Sequence, residues 1–85
     1  MFVILLDLPA QKFLKKIDKI IASRIVESIE KLAEEPILHD SKRIIGSKEN
    51  LFRIRVGKFR VLYRVDYENR HIVITKIDSR EHIYN

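Results

Sequence analysis

The stretch LFRIRVGKFRVLYRV, residues 51–65, restricts the fold more than any other part of the chain, because apolar and basic residues alternate along it. Alternation with a period of two is typical of a β-strand that has one buried face. Gly57 and Lys58 interrupt the alternation, and a glycine at the first of two turn positions suits a type II′ turn. The stretch is therefore predicted to be a β-hairpin.

The turn position determines which residues face each other across the hairpin. On one side it brings together apolar pairs that are predicted to face the core, namely Val56 with Phe59, Ile54 with Val61, and Phe52 with Tyr63. On the other side Arg55 faces Arg60, and Arg53 lies beside them. Opposed like charges destabilise a sheet by about 0.2–1 kcal/mol per pair, so this pair indicates an anion-binding site. We therefore expect replacement of Arg55 or Arg60 to leave the melting temperature unchanged or slightly higher.

The whole chain predicts an α+β fold in a single domain, residues 1–85. The apolar run from Phe2 to Asp7 is predicted to form a strand that is buried on both faces. Apolar residues at helical spacing then predict one amphipathic helix, or two helices broken near Asp18–Lys19, ending at Glu35–Pro36. Residues 36–50 are predicted to form a loop. The strands expected after it are 51–56, 59–67 and 71–78. With the first strand, this antiparallel meander is expected to form one sheet.

Basic charge is concentrated in residues 40–64, which carry eight Lys or Arg and two acidic residues, a net charge of +6 in a chain of net charge +5. Such a segment indicates a nucleic-acid or acidic-protein partner. The alternative is a solvated basic face with no ligand. Arginine suits the first interpretation, since its planar fork binds two phosphate oxygens at once. The candidate RNA- or phosphate-binding residues beside the arginines already named are Lys42, Arg43, Lys48, Lys58 and Arg64.

Several classes of site are excluded by the sequence. The chain has no cysteine, which rules out disulfides and thiolate metal sites. No pair of histidines or carboxylates has metal-ligand spacing, so neither a metal nor a cofactor is expected. The opening MFVILL is too short for a signal peptide or a membrane span. A cytoplasmic protein without a membrane partner is therefore expected.

The tail SREHIYN adds three candidates. Arg80 is a further candidate phosphate contact, with a solvated charge as the alternative. Tyr84 is suited to stacking on a base or to supplying a hydroxyl, and the alternative is packing at a sheet edge. His82 is a candidate proton donor or acceptor, because histidine as a residue type changes its charge near neutral pH, although a lone histidine is more often a surface residue.

The segments RIIGSKENLFRIRVGKFRVLYRV and ITKIDSREHIY resemble the RelE/ParE superfamily of toxins from toxin–antitoxin systems. The typical pattern is a basic lead-in containing glycine, a hairpin of the form LYRIRVGDYRVIY, and a last strand that closes on an HR…VY ending. The match covers about residues 40–85, and the order strand, helical hairpin, three strands extends it over the whole chain. The resemblance implies a RelE-like fold.

The resemblance also implies a function and a site. RelE-like members are metal-independent endoribonucleases that cut mRNA in the ribosomal A site by attack of the 2′-hydroxyl on the adjacent phosphate. Their partners are the ribosome, mRNA and an acidic RelB-like antitoxin, with a heterotetrameric toxin–antitoxin complex expected. Carried over by motif, the implied catalytic residues are Arg53, Arg55, Arg60, Arg80 and Tyr84.

Two departures from the family pattern affect these expectations. Arg53 and Arg55 stand where well-known bacterial members have lysines, and arginine stays protonated and cannot act as a general base. The proton acceptor would then be Tyr84, His82, Lys58, a ribosomal group or water. The sequence also has no helix after the tyrosine, so an apolar surface is expected to remain for the antitoxin to cover.

Two alternatives to the ribonuclease stay open at the level of sequence. The ParE branch uses the same fold against DNA gyrase and lacks the basic and tyrosine catalytic set. The other alternative is a catalytically silent module of this fold that binds RNA or protein.

Overall fold

Residues 1–38, 41–44 and 50–79 are described by the computed structural model of the chain. A short strand, β1 (Val3–Leu6), is followed by two helices, α1 (Leu8–Lys16) and α2 (Lys19–Lys31). The break between the helices lies where the sequence predicts it, because the Asp18 side chain accepts a hydrogen bond of 2.7 Å from the Ile20 amide and caps α2. Pro9 lies in the first turn of α1, where its missing N–H leaves no helical hydrogen bond unmade.

The strands after the helices are β2 (Lys42–Arg43), β3 (Leu51–Val56), β4 (Phe59–Asp66) and β5 (His71–Ser79). With β1 they form one mixed sheet in the order β1-β5-β4-β3-β2. Strands β3, β4 and β5 form the predicted antiparallel meander, and β1 joins it in parallel beside β5. The α+β fold is therefore confirmed, with the two-residue strand β2 added inside the segment that was predicted to be a loop.

The β3–β4 hairpin has the predicted register at every pair, from Leu51 opposite Arg64 to Val56 opposite Phe59. Gly57 has a φ of 60°, which suits the first position of a type II′ turn. Among the described non-glycine residues a positive φ occurs at Arg70, so the φ of Lys58 is negative, as the second position of this turn requires. The apolar side of the hairpin packs against both helices in the core.

The N-terminal strand departs from its prediction. Among the described strands, β1 is one of the two edge strands of the sheet, and it pairs only with β5. Ile4 and Leu6 pack on the core, but Val3 and Leu5 are 56% and 42% exposed. Burial on both faces was therefore wrong, because an apolar run does not distinguish a central strand from an edge strand whose outer face is also apolar.

Tyr63 connects the sheet to the segment that follows α2. Its side chain is fully buried, and its hydroxyl donates a hydrogen bond of 2.8 Å to the Pro36 carbonyl. The Ser41 hydroxyl lies 2.8 Å from the Tyr63 hydroxyl and accepts from the Leu38 amide at 2.8 Å. Since buried polar groups are costly when unpaired, this network holds the segment against the edge of the core.

Candidate functional site

The sheet has one face that the helices cover and one that no described helix or strand covers. Along each strand the side chains alternate between these faces, and the register gives the members of the uncovered face. We call this the basic face, because six basic side chains lie on it: Lys42, Arg53, Arg55, Arg60, Arg64 and Lys76. Neighbouring strands are about 5 Å apart and alternate residues about 7 Å apart, so adjacent members of the set can contact one phosphate group.

Arg55 and Arg60 lie directly opposite each other on β3 and β4, in the part of the basic face nearest the hairpin turn. Arg55 is exposed and forms no ion pair with a described side chain. Arg60 is half-buried, and its guanidinium donates to Asp78 on β5, with Nε 3.3 Å from Oδ1 and Nη2 3.5 Å from Oδ2. One arginine of the pair therefore has a carboxylate partner in the fold, and the other faces solvent.

This difference corrects the expected effect on stability. Replacement of either arginine was expected to leave the melting temperature unchanged or higher. That expectation considered the hairpin alone, whereas β5 places the Asp78 carboxylate beside Arg60. Loss of Arg60 would leave a largely buried carboxylate without its closest cation, and this costs stability. The expectation is kept for Arg55 and withdrawn for Arg60.

The remaining predicted site residues differ in where they lie relative to the basic face. Lys42 is paired with Arg53 and shares the basic face, while Arg43 is paired with Phe52 and so lies on the opposite face of the sheet. Lys58 lies in the hairpin turn, at the end of the basic face. The other predicted site residues lie outside the described residues, and they are Lys48, Arg80, His82 and Tyr84.

Sequence reasoning missed Lys76 and Asp78 because of an irregularity in β5. Leu62 pairs with Lys76 but Tyr63 pairs with Ile74, so Thr75 is an extra residue in the strand. Its hydroxyl donates to the Leu62 carbonyl at 3.2 Å. Such a β-bulge moves later side chains to the other face, which turns Asp78 toward Arg60. A signal was present, since the buried Ile74 and Ile77 are spaced by three residues where a regular strand would have two.

A second carboxylate lies on the same face, far along β4 from Arg60. Asp66 accepts hydrogen bonds from the Asn69 side chain at 2.9 Å and from the Asn69 amide at 3.1 Å. These bonds, the side-chain bond first, hold the pKa of Asp66 below its ordinary value of 3.8. Asp66 thus stabilises the β4–β5 turn as a carboxylate, and it lies about 20 Å along the strand from Arg60.

In the part of the chain that the structure describes, no group of three or more histidine or carboxylate side chains converges in a way that could hold a metal ion. Neither α1 nor α2 has the length and apolar content needed to cross a membrane.

Comparison with known proteins identifies the family. The sequence matches the family model described as the ParE toxin of type II toxin–antitoxin systems, parDE, over residues 4–84. The chain belongs to this toxin family. The toxin is also similar to the protein named RelE1 of Methanocaldococcus jannaschii, with 48% identity over 61 residues that cover 68% of this chain and 67% of the relative. The predicted membership of the RelE/ParE superfamily is confirmed.

Solved structures confirm the fold of the toxin. One is the toxin–antitoxin complex RelBE2 from Mycobacterium tuberculosis, which matches with a TM-score of 0.80 and 30% identity over 93% of this chain and 98% of that one. Another is the archaeal RelE–RelB complex from Pyrococcus horikoshii, with a TM-score of 0.82 and 26% identity over 93% of this chain and 94% of that one. The toxin therefore has the RelE-like fold.

Proposed function

We propose that the toxin is a ribosome-dependent endoribonuclease that cleaves mRNA in the ribosomal A site and so inhibits translation in the cytoplasm. The observation that carries the proposal is the opposed pair Arg55 and Arg60 on a sheet face that no described helix or strand covers. Asp78 balances the charge of Arg60, and an RNA phosphate bound beside the pair would balance the charge of Arg55, whose repulsion by Arg60 is otherwise unfavourable. The similarity to a RelE toxin at 48% identity supports the RelE branch of the superfamily.

In the proposed reaction the ribose 2′-oxygen attacks the adjacent phosphorus, and the bond from phosphorus to the 5′-oxygen of the next nucleotide breaks. The upstream product keeps a 2′,3′-cyclic phosphate, and the downstream product begins with a 5′-hydroxyl. Negative charge grows on the non-bridging phosphate oxygens as the new bond forms. Fixed guanidinium groups stabilise that charge, and they do so best where it develops in the transition state. We assign this role to Arg55 and Arg60, with Arg53 beside them.

Proton transfer needs a different type of residue. The 2′-hydroxyl proton must pass to a base and the leaving 5′-oxygen must take up a proton, but an arginine stays protonated and cannot accept one. We propose Tyr84 and His82 for these steps and Arg80 for a further phosphate contact, on the family resemblance alone. Lys42, Lys48, Lys58 and Arg64 would bind the RNA backbone on either side of the cleaved bond. Arg43 would contact it only around the sheet edge.

We propose an acidic RelB-like antitoxin as the partner that neutralises the toxin in a heterotetramer. The RelE toxins of M. tuberculosis and P. horikoshii were solved in complexes with RelB proteins. In this chain the pairing of β1 with β5 puts Val3 and Leu5, which are 56% and 42% exposed, on the same face of the sheet as the basic side chains. Adjacent basic and apolar surfaces suit a chain that is acidic and disordered alone and folds as it wraps.

A second candidate function is favoured by the family description, which is that of the ParE toxin of parDE systems. In that case the toxin would inhibit DNA gyrase, and the basic face would bind an acidic protein surface or DNA. The arginine pair would then serve recognition and no RNA would be cut.

One set of assays separates these functions. Purified toxin is added to an in vitro translation reaction, to naked mRNA and to a gyrase supercoiling assay, and the mRNA is mapped by primer extension. The proposal predicts cuts that require the ribosome and leave a cyclic or 3′-phosphate upstream. Inhibited supercoiling with intact mRNA would establish the gyrase alternative, and no effect in either assay would leave the silent binding module. Equally fast cleavage of naked RNA, or a 3′-hydroxyl product, would also contradict the proposal.

A further inference from the structure

Asp78 lies beside the proposed site, in a position that no part of the reaction above uses. It is the register partner of Arg60 on the neighbouring strand, and its side chain is 16% exposed against 29% for Arg60. The Lys76 ammonium lies 3.9 Å from Oδ2 of the same carboxylate. Asp78 is thus fixed between two cations at the point where the β5 bulge has turned it to the basic face.

The two contacts from Arg60 use one particular edge of its guanidinium. Nε and Nη2 lie on the same side of that planar group, and both donate to Asp78. Two of the five N–H bonds of an arginine therefore face Asp78. Of the other three, one on Nη1 and one on Nη2 form the end edge of the group, which is turned away from Asp78. That end edge is the one that can bind a phosphate bidentately.

A free arginine has several rotatable bonds, and it loses this freedom when it binds one phosphate geometry. A carboxylate that binds the edge formed by Nε and Nη2 removes that freedom before RNA binds, which is the physical basis of preorganisation. The same carboxylate carries a negative charge close to the bound phosphate, so it weakens the binding of RNA while it improves the geometry of Arg60.

We propose that Asp78 is a positioning residue for Arg60, and that it holds the end edge of the guanidinium toward a phosphate bound between Arg55 and Arg60. This inference rests on the proposed function of the basic face. It predicts that Asp78 raises the rate of the chemical step without improving affinity for the substrate.

The positioning is tested first without any activity, by the side-chain Nε–Hε resonance of Arg60 in a ¹⁵N-labelled protein. In the unsubstituted toxin this proton is expected to exchange slowly with solvent and to have a shift of its own. In Asp78→Asn it is expected to exchange at least about tenfold faster, because an amide oxygen is a weaker acceptor than a carboxylate. Glu68→Gln, an exposed turn residue, makes the same change in net charge and is expected to leave the resonance unchanged. An unchanged resonance in Asp78→Asn would overturn the proposal.

The consequence for the reaction is tested by single-turnover cleavage of ribosome-bound mRNA over a range of toxin concentrations. For Asp78→Asn we expect the maximal rate to fall about tenfold, with the half-saturating concentration unchanged or lower. Glu68→Gln should match the original protein. A maximal rate within about twofold of the original, or a rise in the half-saturating concentration that accounts for the loss, would contradict the positioning role. Circular dichroism at the assay temperature excludes unfolding as the cause.

The resonance measurement and the cleavage assay together distinguish failure of this inference from failure of the proposed function. If the unsubstituted toxin cleaves no mRNA on the ribosome, the proposed function fails, and the resonance of Arg60 is then followed during titration with inorganic phosphate. A specific shift of that resonance in the original protein and its loss in Asp78→Asn would keep the positioning role for an anion site. The absence of a shift would overturn it.

Discussion

Arg55 and Arg60 lie opposite each other, but their surroundings differ. Arg55 is exposed on β3, while Arg60 is half-buried and bonded to Asp78. An exposed cation facing another cation contributes nothing favourable to folding by that contact. A cation paired with a carboxylate that is only 16% exposed does contribute, although part of the gain is offset by desolvation.

This difference predicts that Arg55→Gln and Arg60→Gln change the free energy of unfolding differently. For Arg55→Gln we expect the free energy of unfolding to change by less than about 0.5 kcal/mol or to rise by a few tenths, because one repulsive pair is removed. For Arg60→Gln we expect a loss of about 1 kcal/mol, since Asp78 loses its closest partner and Arg60 was itself partly exposed. Urea titrations check both values, with Arg24→Gln on the exposed face of α2 as the control. Equal losses in the two hairpin variants would contradict the assignment of different roles.

Asp66 gives a prediction for the pH dependence of stability. Its pKa is lowered in the fold by hydrogen bonds from Asn69, so the folded state favours the carboxylate. The stabilisation is complete above the unfolded pKa, close to 3.9, and is lost as the pH falls through the lower folded pKa. We expect the melting temperature of the original protein to exceed that of Asp66→Asn by more at about pH 6 than at about pH 2.5. A difference that stays constant over this range would show that the hydrogen bonds do not depend on the charge.

Among the elements of the sheet, the sequence predicts the register of the β3–β4 hairpin, but it does not predict which face of the sheet the end of β5 presents. The β3–β4 register follows from the alternation and from Gly57, because both are local signals. The side of β5 that carries Asp78 depends on the bulge at Thr75, and the edge position of β1 depends on a parallel pairing between segments far apart in the chain. Local periodicity indicates the bulge only through the spacing of Ile74 and Ile77, and it gives no information on the pairing of β1. Sequence predicted the cations of β2, β3 and β4 that lie on the basic face, but it missed Lys76 and Asp78 on β5.

The buried hydroxyl of Tyr63 predicts a large effect for a small change. Tyr63→Phe removes the hydroxyl that joins Pro36 and Ser41, and leaves a part-buried carbonyl and hydroxyl without their partner. We expect a loss of about 1–3 kcal/mol in the free energy of unfolding. Tyr67→Phe is the matched control, because Tyr67 is 51% exposed in the turn after β4, and it should change stability by less than about 0.5 kcal/mol. Similar losses in both variants would mean that the network does not hold the segment to the sheet.

In the whole molecule, one face of the sheet forms the core and the other is the basic face. The helices cover one face and make the core, with Ile25 and Leu32 of the helical segment fully buried against the sheet. The other face gathers basic side chains from β2, β3, β4 and β5, although these are far apart in sequence. A toxin with the RelE-like fold therefore keeps its stability and its proposed chemistry on opposite sides of one sheet.

The basic face also predicts how the toxin meets its antitoxin. If acidic residues of the partner contact Arg53, Arg55 and Arg60, electrostatic attraction should speed the encounter at low ionic strength. We expect the association rate constant, measured by stopped-flow fluorescence, to fall at least about tenfold between about 50 mM and about 500 mM salt. Arg55→Gln should make this dependence less steep, and Arg24→Gln should change it less. A rate constant that is indifferent to salt would argue that the antitoxin binds elsewhere.

The proposed role of Arg55 and Arg60 is to stabilise the charge that develops on the phosphate while mRNA is cleaved on the ribosome. Its most direct test is the single-turnover rate of A-site cleavage by Arg55→Gln, because Arg55 faces solvent and its replacement should leave the fold intact. The account predicts a fall of about a hundredfold or more, as expected when a donor to a developing phosphate charge is removed, with Arg24→Gln at the original rate. Equal cleavage by Arg55→Gln and the unsubstituted toxin would contradict it.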